Sequence, residues 1–264
     1  MIYLDWLEKL HITPNFWCSE EYFEKAELLQ NRTGHKGSPN PGTILSVANE
    51  GWTMFPAIDT ATRQLVWFDK TWSDFSGCFS PQGYSKTFLD YAYIYDPVNF
   101  TRMEGGDWAV FRKNCRKFSK RFPDFKFTYS TPEDYPFEDL DGWLYQLFQN
   151  WLLSKDEEVK DDKVAEAFLT QGRNRKILWD HDGFVWGVNI WDENWEYINF
   201  RFCFCRPGDF LSEYMRWLFY TDPLILNKKK LVNDGGVLDN LNLKNFKDKL
   251  NPLFVRDVFS WRKI

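Results

Sequence analysis

Hydrophobic and polar positions alternate most regularly in the second half of the chain. Strand-like composition is found in residues 125–129, 176–180, 184–191, 195–205, 229–233 and 254–261, and helical periodicity in residues 137–153, 162–171, 209–220 and 240–250. Polar turns at residues 181–183 and 192–194 favour antiparallel hairpins. Residues 125–264 are therefore predicted to have the order β-α-α-β-β-β-α-β-α-β.

The first half has a less regular pattern. A helix is expected over residues 19–30, where Ser19 can cap the first turn, followed by a Gly/Pro/Asn-rich loop over residues 31–42. Short strands are expected over residues 43–48, 52–58, 64–68 and 88–95, with a hairpin turn at residues 49–51. A further helix is predicted from a cap at Asp107 to Arg121. Its expected buried stripe consists of Trp108, Phe111, Cys115 and Phe118.

Composition narrows the class of protein. The 264 residues include 33 Lys+Arg and 38 Asp+Glu, a net charge of −5, and 19% are aromatic, concentrated in the predicted strands and helix stripes. No apolar run reaches the roughly 20 residues of a membrane helix, and the N-terminus does not resemble a signal peptide. The 5 cysteines form no CxxC pattern, and the 3 histidines form no triad or zinc spacing. We expect a cytoplasmic protein with reduced thiols and no metal.

Two local motifs accompany the order of elements. The stretch LVNDGGVLDNLNLKNFKDKLNP has a strand that ends in an Asn-Asp-Gly-Gly turn, followed by a short helix that carries Phe246 and Lys247. The stretch DWAVFRKNCRKFSKRFPDFKF is strongly basic. The element order resembles the GNAT acyltransferase fold. The motifs are similar to those of the Fem-type aminoacyl transferases and of the catalytic part of phosphatidylglycerol lysyltransferases.

This resemblance implies an α+β, three-layer fold, in which helices flank a GNAT-like mixed, mostly antiparallel sheet. It also implies two GNAT-like halves: a degenerate half over residues 1–104 and a half carrying the acyl-transfer cleft over residues 105–264. Acetyl-CoA users of the fold have a glycine-rich pyrophosphate loop, which corresponds here to Arg206-Pro207-Gly208-Asp209. This segment has one glycine, lacks the N–H of Pro207 and adds the negative charge of Asp209. The expected cofactor is therefore an activated acyl donor that this protein binds without the classical loop. The candidates are aminoacyl-tRNA, aminoacyl-adenylate and acyl-CoA.

The GNAT resemblance implies that the acyl group is bound where the fourth and fifth core strands separate. Asp234 and Glu196 are the candidate general bases, and Lys247 is a candidate to stabilise the oxyanion. The structural alternatives are that Asp234 is an ordinary turn residue, Glu196 an exposed carboxylate and Lys247 a solvated lysine. The candidate substrate-binding residues are Asn199, Arg201, Asn233, Gly235, Gly236, Trp186, Asn189, Tyr214 and Lys244.

Strand alternation makes a specific prediction for residues 196–205. It places Arg201 with Asn199, Cys203 and Cys205 on one face, and the three phenylalanines at 200, 202 and 204 on the other. A buried arginine must be paired, so Arg201 is either structural or a clamp for a carboxylate or phosphate. Trp186 and Tyr214 could equally be core residues.

A one-sided basic face on the helix after residue 107 predicts a polyanion partner, such as tRNA, DNA or an anionic headgroup. It consists of Arg112, Lys113, Arg116, Lys117, Lys120 and Arg121. The structural alternative is an ordinary solvated face that is offset by the acidic segment over residues 156–162. Three functions remain open: an acyltransferase, a protein that binds or modifies nucleic acid, and a catalytically silent scaffold.

Overall fold

A computed structural model describes residues 16–27, 82–122, 126–153, 162–208, 210–237 and 240–264, with isolated positions and short backbone segments among residues 5–73. The helices in these residues are α1 Glu20–Glu27, α2 Pro97–Arg102, α3 Ala109–Arg121, α4 Leu140–Leu153, α5 Asp162–Gln171, α6 Leu211–Tyr220, α7 Pro223–Asn227 and α8 Leu241–Asp248. The strands are β1 Arg32–Gly34, β2 Ile44–Leu45, β3 Val47–Asn49, β4 Trp52–Thr53, β5 Ala57–Asp59, β6 Gln64–Val66, β7 Lys70–Ser73, β8 Tyr84–Tyr95, β9 Thr128–Ser130, β10 Asn174–Trp179, β11 Val185–Glu193, β12 Tyr197–Cys205, β13 Leu231–Asn233 and β14 Phe254–Lys263.

Eleven of these strands form one mixed sheet in the order β1-β3-β4-β7-β14-β8-β13-β12-β11-β10-β9. β10, β11 and β12 are joined antiparallel, as the hairpin turns predicted, and β9 also pairs antiparallel with β10. The long pair β8–β14 is also antiparallel, and β13 pairs with the other edge of β8. This sheet is therefore continuous across residue 104, the predicted boundary between the two halves, which stays a prediction.

Helices cover both faces of the sheet. One core contains residues of α1, α4 and α5 packed on β10, β11 and the end of β12. The other contains residues of α2, α3, α6 and α7 packed on β8, β13 and the start of β12. The predicted stripe on α3 is buried in this second layer and the one beside it. The predicted three-layer α+β arrangement, in which helices flank a mixed, mostly antiparallel sheet, is confirmed.

The parallel pair β12–β13 is short. It covers only three residue pairs, the last of which is Asn199 with Asn233. β13 then ends, whereas β12 continues to Cys205. Beyond Asn199, the edge of β12 facing β13 has no strand partner in the described part of the chain. This leaves the gap between the fourth and fifth core strands that the GNAT resemblance implied.

The predicted alternation along β12 places Arg201 correctly on the face of Asn199 and is wrong from Phe202 onward. The pairing with β11 shifts register there, so that Arg201 is an unpaired bulge residue between Phe200 and Phe202. Phe200 packs under α6, while Phe202 packs on Phe168 of α5. The bulge therefore puts Phe202 on the same face as Arg201, opposite to Cys203.

Several element boundaries also differ from the predictions. Strand β1 lies inside the predicted loop at residues 31–42, and β7, α2 and α7 were not predicted. Helix α3 begins at Ala109, and Trp108 rather than Asp107 precedes it. Asp192 and Glu193, predicted as turn residues, belong to strand β11, because the turn lies over residues 194–196 instead. Within the described residues, no helix has the length and apolarity needed to cross a membrane.

Candidate functional site

The turn after β13 closes one end of the gap. The Asp234 N–H donates to the Tyr93 carbonyl at 2.9 Å, and the Tyr93 N–H donates to the Gly235 carbonyl at 3.1 Å, so β8 fixes the turn. The Asn233 side chain accepts from the Gly235 N–H at 2.9 Å. Gly235 has φ +65°, which favours glycine, and an added Cβ would lie 3.1 Å from the Phe16 ring.

A glycine is also required at position 236, in this case because there is no space for a side chain. A Cβ here would lie 1.8 Å from an oxygen of the buried Asp90 carboxylate. Both oxygens of that carboxylate accept from the Val237 N–H at 3.0 Å. The Gly-Gly sequence is therefore needed for this turn to fit against β8.

A buried charge cluster surrounds Asp234. One carboxylate oxygen, Oδ2, is paired with the guanidinium of Arg216 and accepts from the Tyr220 hydroxyl at 3.3 Å. The other oxygen, Oδ1, lies 3.4 Å from Nζ of Lys247. Burial raises the pKa of Tyr220, so this hydroxyl remains a donor. Arg216 and Lys247 thus face Asp234, and the buried Asp90 carboxylate adds a second negative charge near Lys247.

Lys247 holds the turn together. Its ammonium donates to the carbonyls of Asp234 and Gly236, the latter at 2.7 Å, with the Gly235 carbonyl at 3.3 Å. Burial and, to a lesser extent, the positive charge of Arg216 lower the pKa of Lys247 well below its usual value. The negative charge of Asp90 acts on this pKa in the opposite direction. Lys247 is therefore placed to position Asp234.

A second buried polar cluster lies on the opposite face at the same gap. Asp192 accepts from Arg201 Nε at 2.8 Å and from the Ser19 hydroxyl at 2.5 Å through one oxygen, and from Asn199 at 2.9 Å through the other. Arg201 Nη2 also donates to Ser19 at 3.2 Å, and Ser19 accepts from the Tyr22 N–H at the start of α1. The segment before α1 is thereby attached to the sheet.

Aromatic rings cover this second cluster. The Arg201 guanidinium lies 4.3 Å from the ring centre of Phe16, 4.9 Å from that of Tyr22 and 5.7 Å from that of Phe168. Such contacts fix the plane of a guanidinium. Because Phe16 also lies against Gly235, one ring joins the two polar clusters.

Other predicted site residues lie elsewhere. Glu196 precedes β12, at the end of the strand away from the gap, and is partly exposed. Lys244 forms an exposed i,i+4 ion pair with Asp248 at 2.7 Å. Asn189 is buried and donates to the Tyr129 hydroxyl and the Met215 carbonyl.

Trp186 and Tyr214 belong to an aromatic core cluster around Phe118, with Trp186 donating to Asp180 at 2.8 Å. The structure therefore brings together Asp234, Lys247, Asn233, Gly235 and Gly236, with Asn199 and Arg201 across the gap.

The basic face of α3 is divided in the structure. Arg112 donates to the carbonyls of Met103 and Gly105 and so ends α2. A surface depression of about 320 Å³ runs along α3 and is lined by Arg112, Lys113, Arg116, Lys117 and Lys120. The exposed cations of α3 are Lys113, Arg116, Lys117, Lys120 and Arg121. Lys117 lies 4.7 Å from the ring centre of Phe210, beside the start of α6.

The segment that corresponds to the pyrophosphate loop has a structural role. Arg206 donates through Nε to the Val185 carbonyl at 2.8 Å and lies 5.0 Å from the Trp143 ring centre. Phe210 takes a left-handed conformation with φ 67° before α6 begins. Asp209 lies outside the described residues. In the parts of the chain that the structure describes, no group of three or more His, Cys, Asp or Glu side chains is placed to hold a metal ion.

Four residues of the two clusters were not predicted from the sequence: Arg216, Tyr220, Asp192 and Ser19. Arg216 had a signal, since it is the one cation in the otherwise apolar and acidic α6 sequence LSEYMRWLFY. Asp192 was interpreted as a turn residue and Ser19 as a simple helix cap. Neither had a sequence signal that would distinguish it from many other residues of those kinds.

Comparisons with known proteins agree with this architecture. No family model matches the chain, and no curated protein matches it. A conserved protein of unknown function from Bacteroides thetaiotaomicron has a similar structure, with a TM-score of 0.70, 14% identity, and coverage of 95% of this chain and 92% of that one. L-PGS from Bacillus licheniformis is similar with a TM-score of 0.61, 15% identity, and coverage of 91% and 87%.

A C-terminal domain from Agrobacterium fabrum, provisionally named a lysylphosphatidylglycerol synthetase, has a TM-score of 0.50 and 13% identity, with coverage of 69% and 62%. These likenesses show the fold: this chain has the GNAT-like architecture that it shares with L-PGS.

Proposed function

We propose that this chain is an acyltransferase that moves an acyl or aminoacyl group from an activated donor to an amine or hydroxyl of a larger, anionic acceptor. The single observation that carries the proposal is the buried Asp234–Arg216–Lys247 cluster at the gap between β12 and β13. Buried charges are costly unless they are paired, and clusters of them are common in functional sites. Similarity to L-PGS supports the same reaction class.

The reaction would be a direct attack. The lone pair of the acceptor nitrogen or oxygen forms the new bond to the acyl carbon, and its proton passes to Asp234. The bond between the acyl carbon and the carrier then breaks, and the carrier oxygen or sulfur leaves with the electron pair and takes up a proton. Oδ1 is the oxygen suited to accept the proton, because Oδ2 is already bound by Arg216 and Tyr220.

Arg216 would stabilise the transition state electrostatically. A fixed cation beside the acyl carbon stabilises the oxyanion that develops in the transition state, and such a group in a buried site contributes about 10²–10³ in rate. Lys247 acts through the turn, because its donors are occupied by the carbonyls of residues 234–236. Glu196 is the less favoured base, because it lies at the other end of β12.

The basic face of α3 favours a polyanion as carrier or acceptor. Its exposed cations lie on the helix that packs directly against α6, through Asn114 to Glu213 at 3.0 Å and through the ring contact between Phe118 and Tyr214. A tRNA that carries the aminoacyl donor would fit this surface. DNA and an anionic headgroup are the other partners to be compared.

The test is a transfer assay with labelled donors. Charged tRNAs, aminoacyl-adenylates and acyl-CoAs would each be supplied with hydroxylamine as a small nucleophile, or with vesicles that contain an anionic phospholipid. We expect a new amide or ester product from at least one donor. If no donor is consumed while the protein still binds tRNA or DNA, the chain is a nucleic-acid-binding protein. If neither transfer nor binding occurs, the chain is a catalytically silent scaffold.

A further inference from the structure

Three buried polar atoms at the gap have no hydrogen-bond partner in the described part of the chain. These are Oδ1 of Asn199, Nη1 of Arg201 and Nδ2 of Asn233. Each residue is at least nine-tenths buried. Buried polar atoms are nearly always bonded, and leaving one unpaired costs about 1–3 kcal/mol. Three unpaired atoms at one point of the sheet indicate the place of a ligand.

All three side chains lie on the same face. Asn199 and Asn233 are directly opposite in the parallel pair, so they leave the sheet on the same side. Arg201 is on that side as well, because it lies two residues after Asn199 in β12 and shares the Asp192 carboxylate with it. The bulge leaves Arg201 without a paired residue in β11.

The hydrogen bonds that these side chains already form determine which donor or acceptor each one leaves for a ligand. A carboxylate only accepts, so Asn199 uses its NH₂ for Asp192 and presents its carbonyl oxygen. A backbone N–H only donates, so Asn233 uses its carbonyl for Gly235 and presents its NH₂. Arg201 presents one N–H. The free set is therefore one acceptor and two donors.

The charge of this group is balanced. The side chains of Arg201 and Asp192 are both 1% exposed and form an ion pair at 2.8 Å. The free N–H of Arg201 is thus a directed donor with little excess charge, which suits a carbonyl or hydroxyl oxygen better than a phosphate.

We propose that Asn199, Arg201 and Asn233 form the subsite that binds the transferred acyl group, and that Asp192 and Ser19 position Arg201. The subsite selects an acyl group that carries an N–H or O–H donor beside its carbonyl, because Asn199 needs a donor and the other two residues need an acceptor. A hydrocarbon acyl group would satisfy the donors only and leave Asn199 unpaired. This inference rests on the proposed acyl transfer and specifies its substrate class.

Matched ligands test this selection. Alanyl and propionyl groups differ at the α-carbon only by the amino group, and each would be attached to three stable carriers: sulfamoyl-adenosine, 3′-amino-3′-deoxyadenosine and a thioether of coenzyme A. Calorimetric titration of the full chain should show at least one carrier on which the alanyl ligand binds about tenfold more tightly or better, as expected for one satisfied buried acceptor.

Two variants and a control identify the residues. Asn199→Ala and Arg201→Lys should each reduce the alanyl-over-propionyl ratio by about fivefold or more, the equivalent of one net hydrogen bond. Arg201→Lys keeps the charge beside Asp192, so it tests the lost Nη1 donor. Asn174→Ala removes an asparagine of β10, which lies two strands away from β12 in the sheet, and should leave the ratio unchanged. Circular dichroism would establish that each variant is folded.

Equal affinity for the two acyl groups, no binding of any pair, or an unchanged ratio in both variants would overturn the inference. Failure of the subsite can be distinguished from failure of the proposed function. If transfer occurs without alanyl preference, the reaction stands and this subsite is wrong. If the preference is found and depends on Arg201 and Asn199 but no donor supports transfer, the subsite stands as a binding site and the proposed reaction is wrong.

Discussion

Arg216 of helix α6 and Asp234 of the turn after β13 form a buried ion pair, and the Tyr220 hydroxyl contacts the same carboxylate oxygen from the next turn of the helix. The pair joins α6 to the end of β13, beside the gap that β12 leaves. The Arg216 guanidinium also lies 4.5 Å from the ring centre of Phe200 in β12. One contact thus sets both the position of the helix and the charge at the gap.

Asp234→Asn should destabilise the protein by about 3–5 kcal/mol, because it leaves the buried Arg216 without its carboxylate partner. Replacing both members of the pair, as in Asp234→Asn/Arg216→Met, should recover part of that loss. Urea unfolding of the wild type, the two single variants and the double variant measures the coupling. Single variants that each lose less than about 1 kcal/mol, as exposed ion pairs do, would show that the pair does not stabilise the fold.

Gly236→Ala should destabilise the protein by about 1–3 kcal/mol or more, since the new methyl group would overlap the Asp90 carboxylate and the Tyr91 carbonyl. The matched control is Gly106→Ala, where nothing lies within 4 Å of an added Cβ. Chemical denaturation midpoints compare the two. Equal midpoints would show that the turn does not pack against β8 as described.

Glu21→Gln should make the protein more stable at pH 7 and leave its stability unchanged near pH 4. Burial is the main cause that raises the pKa of Glu21 above its usual value, and Asp192 adds to it. The folded state therefore holds a proton more tightly than the unfolded chain, and this stabilisation is lost as the pH rises through the folded-state pKa. Glutamine keeps an acceptor for the Arg173 N–H, which Glu21 binds at 2.7 Å.

Urea midpoints at the two pH values measure this effect. Glu24→Gln is the control, because Glu24 lies in the same helix and pairs with Arg173 in a more exposed position. It should lose a small surface interaction and gain no stability at neutral pH. A Glu21→Gln variant that is less stable than the wild type at pH 7 would contradict the assigned direction.

Arg116→Glu/Lys120→Glu should weaken any binding of tRNA and reduce its dependence on salt, because each phosphate contact contributes to the release of counterions. Arg102→Glu/Lys249→Glu makes the same change in net charge at exposed cations outside α3 and is the control. Filter binding at several salt concentrations compares the two pairs. Equal losses would mean that net charge, and not this face, determines binding.

The sequence predicted the order of elements because the helical stripes and hairpin turns are local signals. The resemblance to the Fem-type and lysyltransferase motifs also indicated Asn233 to Gly236 and Lys247, because these residues lie within one short stretch of sequence. The bulge at Arg201 could not be predicted in this way. It arises from a register shift against β11, which depends on packing between strands and moves Phe202 to the face that carries Asn199 and Arg201.

The residues that contact the predicted site residues were also harder to predict, because these contacts depend on long-range packing. Ser19 and Asp192 are 173 residues apart and meet only through the fold. Arg216 follows the buried Met215 in an amphipathic helix, so its role depends on which residue α6 presents to the turn after β13. Long-range contacts of this kind leave almost no pattern in a single sequence.

The rate of acyl transfer by Asp234→Asn, relative to the wild type, tests the central claim most directly. The donor would be the one that the transfer assay identifies, and the temperature one at which both proteins are folded by circular dichroism. Loss of the base should lower the rate by about 10²–10⁴, while Glu196→Gln should retain the wild-type rate. Equal rates for Asp234→Asn and the wild type would contradict acyl transfer at this gap.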